Sequence, residues 1–134
     1  AKAIVKYQDP SSGTWYQVTD QGAREGNYLE SSATALFIYT LAKAINKGYI
    51  DNEYIEPTQK AFDGMVKTFT RLEEDGSYTI TNCCAVAGLG GDSKRYRDGS
   101  FEYYISEPII ENDPKSVGSF ILAAIEYEKM TMNK

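Results

Sequence analysis

Carboxyl side chains beside polar motifs are the first candidates for chemistry in this sequence. Glu30, Asp98 and Glu102 stand out because each lies near an unusual polar stretch. A carboxyl acts as a general acid when burial or a like-charged neighbour raises its pKa toward the working pH. Structural roles fit better here. Glu30 suits a first-turn carboxylate that hydrogen-bonds its own helix N-terminus, and Asp98-Gly99 suits a tight turn. We therefore predict no catalytic residue in this chain.

The residue types that are missing narrow the chemistry further. The chain has no histidine, which removes the commonest metal ligand and the commonest general base near neutral pH. Cys83 and Cys84 are adjacent, and their Cα separation of about 3.8 Å falls short of the ~5.5 Å usual for a disulfide. Their spacing also does not fit a metal-binding CxxC motif. We predict two buried free thiols, no metal site and no cofactor.

A glycine-rich loop is the strongest candidate for ligand contact. It contains Ala87, Gly88, Leu89 and Gly90. Successive glycines let backbone N–H groups approach an anion closely, so the loop could bind an anionic group of a ligand. The alternative interpretation is a loop that is simply too tight for larger side chains.

Three side chains outside this loop are further candidates for sugar contact. Trp15 could stack on a sugar ring, or it could pack as core beneath the following helix. Tyr103 and Tyr104 alternate faces if the chain is extended there, so one could line a cleft. Arg97 could donate two hydrogen bonds to a substrate carboxylate, or it could be a solvated surface residue. The predicted substrate-binding residues are Ala87, Gly88, Leu89, Tyr103, Trp15 and Arg97.

Composition places the chain among ordinary globular domains. Its 134 residues suit one domain, with 42% hydrophobic and 25% charged residues. A net charge of -5 argues against nucleic acid as a partner. No apolar run approaches the ~20 residues that span a bilayer, and the first residues do not form a signal-peptide core. We expect a cytoplasmic protein, with the periplasm as the alternative.

Hydrophobic periodicity predicts the elements that must position these residues. Apolar positions three and four residues apart predict helices over 29–47, with Gly48 as its C-terminal cap, and over 56–72. In Asn112-Asp113-Pro114, a capping residue is followed by a proline at the first helical position, so a third helix begins at Pro114 and runs to the end. Residues 1–8 fit the end of another helix, and 15–18 and 78–82 fit short strands. The predicted fold is mainly α, with about three full helices, a helix end, and short strands or hairpins at the rim.

Seven short motifs carry a resemblance to a known family. Each is weak alone, but together they follow the family's order over nearly the whole chain. The motifs are YQD at 7–9, GTWYQV at 13–18, NYLESS at 27–32, AKAINKGY at 42–49, YYIS at 103–106, ND at 112–113 and GSFILA at 118–123. The sequence resembles the unsaturated glucuronyl and rhamnogalacturonyl hydrolases of glycoside hydrolase family 105 and the related family 88.

The resemblance implies a fold larger than this chain. The family has an (α/α)6 barrel of twelve helices. Twelve helices of ~11 residues joined by loops of ~5 need roughly 190 residues. Because the motifs resemble those of the family's C-terminal third, we expect residues 1–134 to form a single partial domain, the C-terminal portion of the barrel.

The resemblance also implies a reaction whose central residue lies elsewhere. In the family, an upstream aspartate protonates C4 of a Δ4,5-unsaturated uronic acid and activates the water that adds at C5. The hemiketal then opens and the sugar leaves, as in the degradation of pectin-type polysaccharides. That aspartate and the family's upstream histidine and arginine contacts have no counterpart here. At the matching loop, family members carry hydroxyl side chains where this chain has Ala87 and Gly88, which leaves backbone contact or shape.

Two alternatives to the enzyme fragment remain open at this point. The chain could be a non-catalytic carbohydrate-binding or assembly module, or a fragment of another α/α-toroid enzyme. In the enzyme interpretation, the isolated chain is inactive, and its partners are an unsaturated oligosaccharide and the missing N-terminal part of the barrel. Apolar helix faces left exposed could instead drive self-association.

Overall fold

Three long helices dominate the computed structural model, which describes residues 1–22, 24–92 and 96–132. The predictions of a mainly helical chain and of its three full helices are confirmed. The α-helices are α1 (Lys2–Lys6), α2 (Ser31–Asn46), α3 (Ile55–Phe69), α4 (Phe101–Ser106) and α5 (Pro114–Met132), with a 3-10 turn at Asn52–Tyr54 before α3. The strands are β1 (Thr70–Leu72), β2 (Tyr78–Ile80), β3 (Cys83–Cys84) and β4 (Ile109–Ile110).

The core forms where α2 packs against α5 and α3. Small buried side chains on the facing surfaces, such as Ala35 and Ala123, let the helices approach closely. An aromatic pair adds to the contact between α3 and α5, because the rings of Phe62 and Tyr127 stack 3.9 Å apart. The buried hydrophobic cluster contains Trp15, Ala35, Ile38, Leu41, Ala61, Met65, Phe69 and Ala123.

Local sequence signals set the ends of the long helices. Gly48, at φ 68°, donates its N–H to Ile45, and Tyr49 donates to Ala44, which is the hydrogen-bond pattern of a Schellman cap. The side chain of Asp113 accepts a hydrogen bond from the Lys115 N–H in the first turn of α5. The Gly48 cap and the start of α5 at Pro114 are therefore confirmed.

One helix boundary predicted from periodicity is wrong. The apolar stripe of α3 predicted a helix to residue 72, but α3 ends at Phe69 and residues 70–72 form β1. This strand pairs antiparallel with β2, from Thr70 opposite Ile80 to Leu72 opposite Tyr78. The hydrogen bonds between β1 and β2 stabilise the strand at residues 70–72. A pattern of apolar residues at helical spacing contains no information about such pairing.

A second pair of short strands closes a long excursion of the chain. Cys84 pairs with Ile109 and Cys83 with Ile110, so residues 85–108 leave and return at the same point. Cys83 and Cys84 are buried free thiols, as predicted. Burial also raises the pKa of the Cys83 thiol, which keeps it protonated.

The outer faces of α2 and α5 carry apolar side chains that this chain leaves exposed. Leu36 on α2 and Ile121, Leu122 and Ile125 on α5 each expose between 44% and 54% of their surface. Ile121 and Ile125 are four residues apart on α5 and therefore lie on the same face of that helix. Among the described residues, no helix combines the length and apolar character needed to cross a membrane.

Candidate functional site

Five of the six predicted substrate-binding residues lie together in the excursion between β3 and β4. We call residues 87–91 the glycine loop. Gly90 and Arg97 form a two-residue bridge, with the Gly90 N–H donating to Arg97 over 2.8 Å and the Arg97 N–H donating back over 2.9 Å. Tyr103 lies against the same loop. The side chain of Arg97 and the hydroxyl of Tyr103 thus approach one short stretch of backbone.

The excursion is held at its base by backbone hydrogen bonds. Beyond the β3–β4 pair, the Ala85 N–H donates to the Pro108 carbonyl over 2.9 Å. The Ser100 hydroxyl caps α4 by accepting from the Tyr103 N–H. Asp98 accepts from the Ser100 N–H over 2.8 Å, and Gly99 has φ 76°, so Asp98-Gly99 is the turn that the sequence predicted.

Two backbone donors of the glycine loop are already used inside the protein. The Gly88 N–H donates to the Tyr103 hydroxyl over 3.1 Å, and the Gly90 N–H donates to Arg97. The prediction that these N–H groups would face an anion is therefore wrong for Gly88 and Gly90. The Tyr103 hydroxyl accepts this bond and keeps its own proton as a donor.

Helical geometry also changes the interpretation of the two tyrosines. Tyr103 and Tyr104 belong to α4, so they do not alternate across an extended strand as expected. Their rings lie 5.0 Å apart and inclined at 50°. The serine cap and the turn before it decide the conformation, and neither is visible in the two-residue pattern of the tyrosines alone.

The glycine loop packs closely against Gly99 and Arg97, which limits the side chains that these positions can carry. A β-carbon at Gly99 would lie 2.7 Å from Leu89 Cδ2, at a φ that favours glycine. A β-carbon at Gly88 would lie 3.7 Å from Arg97 Cδ, which is ordinary contact. Leu89 itself is 74% exposed, and Ala87 is exposed too. The loop thus offers a small, mostly apolar surface beside the Arg97 side chain.

Arg97 meets a buried carboxylate on its inner side. Its Nε lies 3.6 Å from Glu107 Oε1, and the Glu107 side chain has no exposed surface. That distance makes an ion pair, although it is too long for a direct hydrogen bond. The Arg97 side chain keeps 28% of its surface exposed, so it is neither a fully solvated arginine nor a buried one.

Sequence reasoning missed a second segment that packs on this excursion. Arg24, in the loop before α2, forms an ion pair with Glu102 and lies 3.8 Å from the centre of the Phe101 ring. A β-carbon at Gly26 would lie 2.8 Å from Ile105 Cδ1. These contacts join the loop before α2 to α4 across nearly 80 residues of chain. An arginine and an aromatic so far apart in sequence give no local signal.

A buried polar cluster fixes the start of α2 beneath the site. Glu30 is 1% exposed, and it accepts hydrogen bonds from the N–H groups of Ser32, Ala33 and Cys84. The predicted capping role is confirmed, and the bond to Cys84 extends it to β3. Burial, with Cys84 as the next cause, raises the pKa of the neighbouring Tyr28 hydroxyl, which stays protonated.

Trp15 belongs to the core rather than to a sugar-stacking surface. It exposes none of its surface, its ring meets Phe37 edge-on at 5.2 Å, and its indole N–H donates to the Ile4 carbonyl over 2.8 Å. The predicted sugar contact at Trp15 is corrected accordingly. The strand expected at 15–18 reduces to one bridge between Tyr16 and Leu29.

Comparison with known proteins identifies the family. The model of Glycosyl Hydrolase Family 88 matches residues 1–131. The chain belongs to this family. A family 88 chain with this order of helices is part of an α/α barrel, which agrees with the fold predicted from the motifs.

Solved structures support the same assignment. The family 88 chain described here is 46% identical to a family 105 glycoside hydrolase from C. acetobutylicum, with a TM-score of 0.91 over 95% of this chain and 35% of that one. It is 27% identical to a protein from Salmonella enterica described in connection with family 105, with a TM-score of 0.75 over 99% of this chain and 30% of that one.

A curated relative is also similar. Protein Atu3128 of Agrobacterium fabrum is 37% identical over 119 residues, which cover 86% of this chain and 51% of that protein. The family 88 chain thus spans about half the length of this relative and about a third of the solved hydrolases.

Proposed function

We propose that this chain is the C-terminal portion of a glycoside hydrolase that hydrates the Δ4,5 double bond of unsaturated uronic-acid oligosaccharides. A proton adds to C4, the oxygen of water adds to C5, and the resulting hemiketal opens to release the second sugar. The catalytic aspartate of this reaction lies outside the chain. Residues 85–108 supply part of the substrate rim.

The observation that carries the proposal is the close match of nearly the whole chain to the C. acetobutylicum family 105 hydrolase. The geometry of the excursion supports it. Arg97 and Tyr103 bring a guanidinium and a hydroxyl donor to one exposed rim, and a uronate carries both a carboxylate and hydroxyls that such donors bind. The exposed Leu89 adds an apolar surface for a sugar face.

The proposal also accounts for the apolar outer faces of α2 and α5. In a complete barrel these faces pack against further helices. In the chain alone they remain open, so we propose that the missing part of the barrel, or a second copy of the chain, covers them.

An absorbance assay tests the proposed activity. Hydration removes the C4–C5 double bond that is conjugated with the carboxylate, so the ultraviolet absorbance of the sugar falls as the reaction proceeds. We expect the complete protein to consume an unsaturated uronyl disaccharide and to leave its saturated counterpart intact. Residues 1–134 alone should show no turnover. A complete protein that binds the disaccharide without consuming it would favour a binding module instead.

A further inference from the structure

Glu107 is a buried acid at the point where α4 ends. The helix stops at Ser106, and the proline that follows Glu107 holds its backbone extended, at φ -71° and ψ 142°. This conformation turns the side chain inward, where Oε1 lies 3.6 Å from Arg97 Nε and the side chain has no exposed surface. A carboxylate in such a place is costly unless a cation accompanies it.

The pairing leaves a defined part of Arg97 for a ligand. Nε is buried, whereas 28% of the Arg97 side-chain surface is exposed. Because the guanidinium is planar and Nε lies on the buried side beside Glu107, the two terminal nitrogens are the atoms of Arg97 that remain as donors for a ligand. The edge that carries them has the geometry of a two-bond contact with a carboxylate.

The surroundings of Arg97 restrict the side chain further. Its backbone is bridged to Gly90 by two hydrogen bonds, and its Cδ passes over Gly88, where a side chain is lacking. The Gly88 N–H in turn holds the Tyr103 hydroxyl. The backbone of Arg97 is therefore held by hydrogen bonds, its stem runs close to Gly88, and its Nε lies beside the Glu107 carboxylate.

We propose that Glu107 is a positioning residue that orients the Arg97 guanidinium toward a carboxylate of the uronate substrate. This inference rests on the proposed function. The ion pair is close to neutral as a unit, so it adds little long-range attraction. Its contribution is geometric: it reduces the conformational freedom that Arg97 would lose on binding.

The test uses the complete protein and steady-state kinetics on an unsaturated uronyl disaccharide. Glu107→Gln removes the buried charge and keeps the size of the side chain. We expect KM to rise about tenfold, the equivalent of one charge-assisted hydrogen bond, with kcat little changed. The matched control is Glu53→Gln, at an exposed position in the 3-10 turn before α3, which should leave KM unchanged.

A double-mutant cycle separates positioning from a general structural role. Arg97→Lys keeps the charge but loses the planar fork, so it should also raise KM. If Glu107 acts through Arg97, combining Arg97→Lys with Glu107→Gln raises KM no further than Arg97→Lys alone. Additive increases would overturn the inference. Should Glu107→Gln fail to fold, Glu107→Asp keeps the buried charge one methylene further back, and an unchanged KM there would overturn it too.

The kinetic measurements distinguish an error in the proposed function from an error in the positioning role of Glu107. A wild-type complete protein without turnover of unsaturated uronides refutes the proposed function and the inference with it. Turnover by the wild type together with an unchanged KM in folded Glu107→Gln refutes the positioning role alone.

Discussion

Glu30 connects the first turn of α2 and β3 through a single carboxylate. Its oxygens accept the first N–H groups of α2, and one of them also accepts the N–H of Cys84 at the base of the excursion. The sequence predicted the first role because an acid before a helical stripe is a capping signal. It could not predict the second, since Cys84 lies 54 residues away and becomes a neighbour only after folding.

Replacing Glu30 should therefore cost more than replacing an ordinary cap. Glu30→Ala removes a helix cap worth ~1 kcal/mol and leaves the buried Cys84 N–H unsatisfied at ~2 kcal/mol, so we expect a loss of about 3 kcal/mol in unfolding free energy. Ser100→Ala, which removes only the cap of α4, should cost about 1 kcal/mol. Denaturant unfolding of both variants measures the difference, and equal losses would contradict the linking role.

Asp9 makes the unfolding free energy depend on pH in the acid range. Burial acts to raise the pKa of this carboxyl, but hydrogen bonds from the Ser12 N–H and the hydroxyls of Ser12 and Ser11 outweigh it and lower the pKa. The folded state thus favours the charged form. Its contribution is fully present above the ordinary aspartate pKa and is lost as the pH falls through the lowered value.

Unfolding free energy measured across the acid range tests this dependence. Asp9→Asn should be less stable than the wild type at neutral pH, and the difference should shrink as the medium becomes acidic. Asp20→Asn, at an exposed acid, is the matched control for the loss of one carboxylate. A constant difference between Asp9→Asn and the wild type at every pH would exclude the linkage.

At the scale of elements, helices with a clear apolar stripe could be predicted, as could the short elements α1 and β2, whereas β1 and α4 could not. The stripe of α2 and its Gly48 cap are encoded within one stretch of sequence. By contrast, β1 exists because residues 70–72 find β2 across a turn, and α4 exists because Ser100 caps it. The predicted site followed the same division. Arg97 and Tyr103 were named from the sequence as separate candidates, and their contact with the glycine loop became visible only in the structure; Arg24 and Glu107, which were not named, depend on distant or buried partners.

The close approach of α3 to the loop before Trp15 gives a sharp test at this scale. A β-carbon at Gly64 would lie 1.8 Å from the Ser12 carbonyl oxygen, so Gly64→Ala forces the loop or the helix to move. We expect a loss of more than about 2 kcal/mol in unfolding free energy. Gly118→Ala is the matched control on α5, where no atom of this chain lies within 4 Å, and it should cost far less than Gly64→Ala because alanine is also the better helix former. Similar effects of both substitutions would disprove the close packing.

At the scale of the whole molecule, the family 88 chain presents an incomplete set of helices and an organised rim. The helices leave Leu36, Ile121 and Ile125 partly exposed, as expected where further helices would dock. The guanidinium of Arg97, the hydroxyl of Tyr103 and the glycine loop all lie on the excursion between β3 and β4. We interpret the chain as a substrate-contacting wall of a barrel whose reactive acid is supplied by another segment.

The most direct measurement follows the ultraviolet absorbance of an unsaturated uronyl disaccharide with the complete protein and with residues 1–134 alone, each at the same concentration. The account predicts that the absorbance falls with the complete protein and stays constant with residues 1–134. It also predicts a higher KM when the complete protein carries Arg97→Lys. Loss of absorbance with residues 1–134 alone, or none with the complete protein, would contradict it.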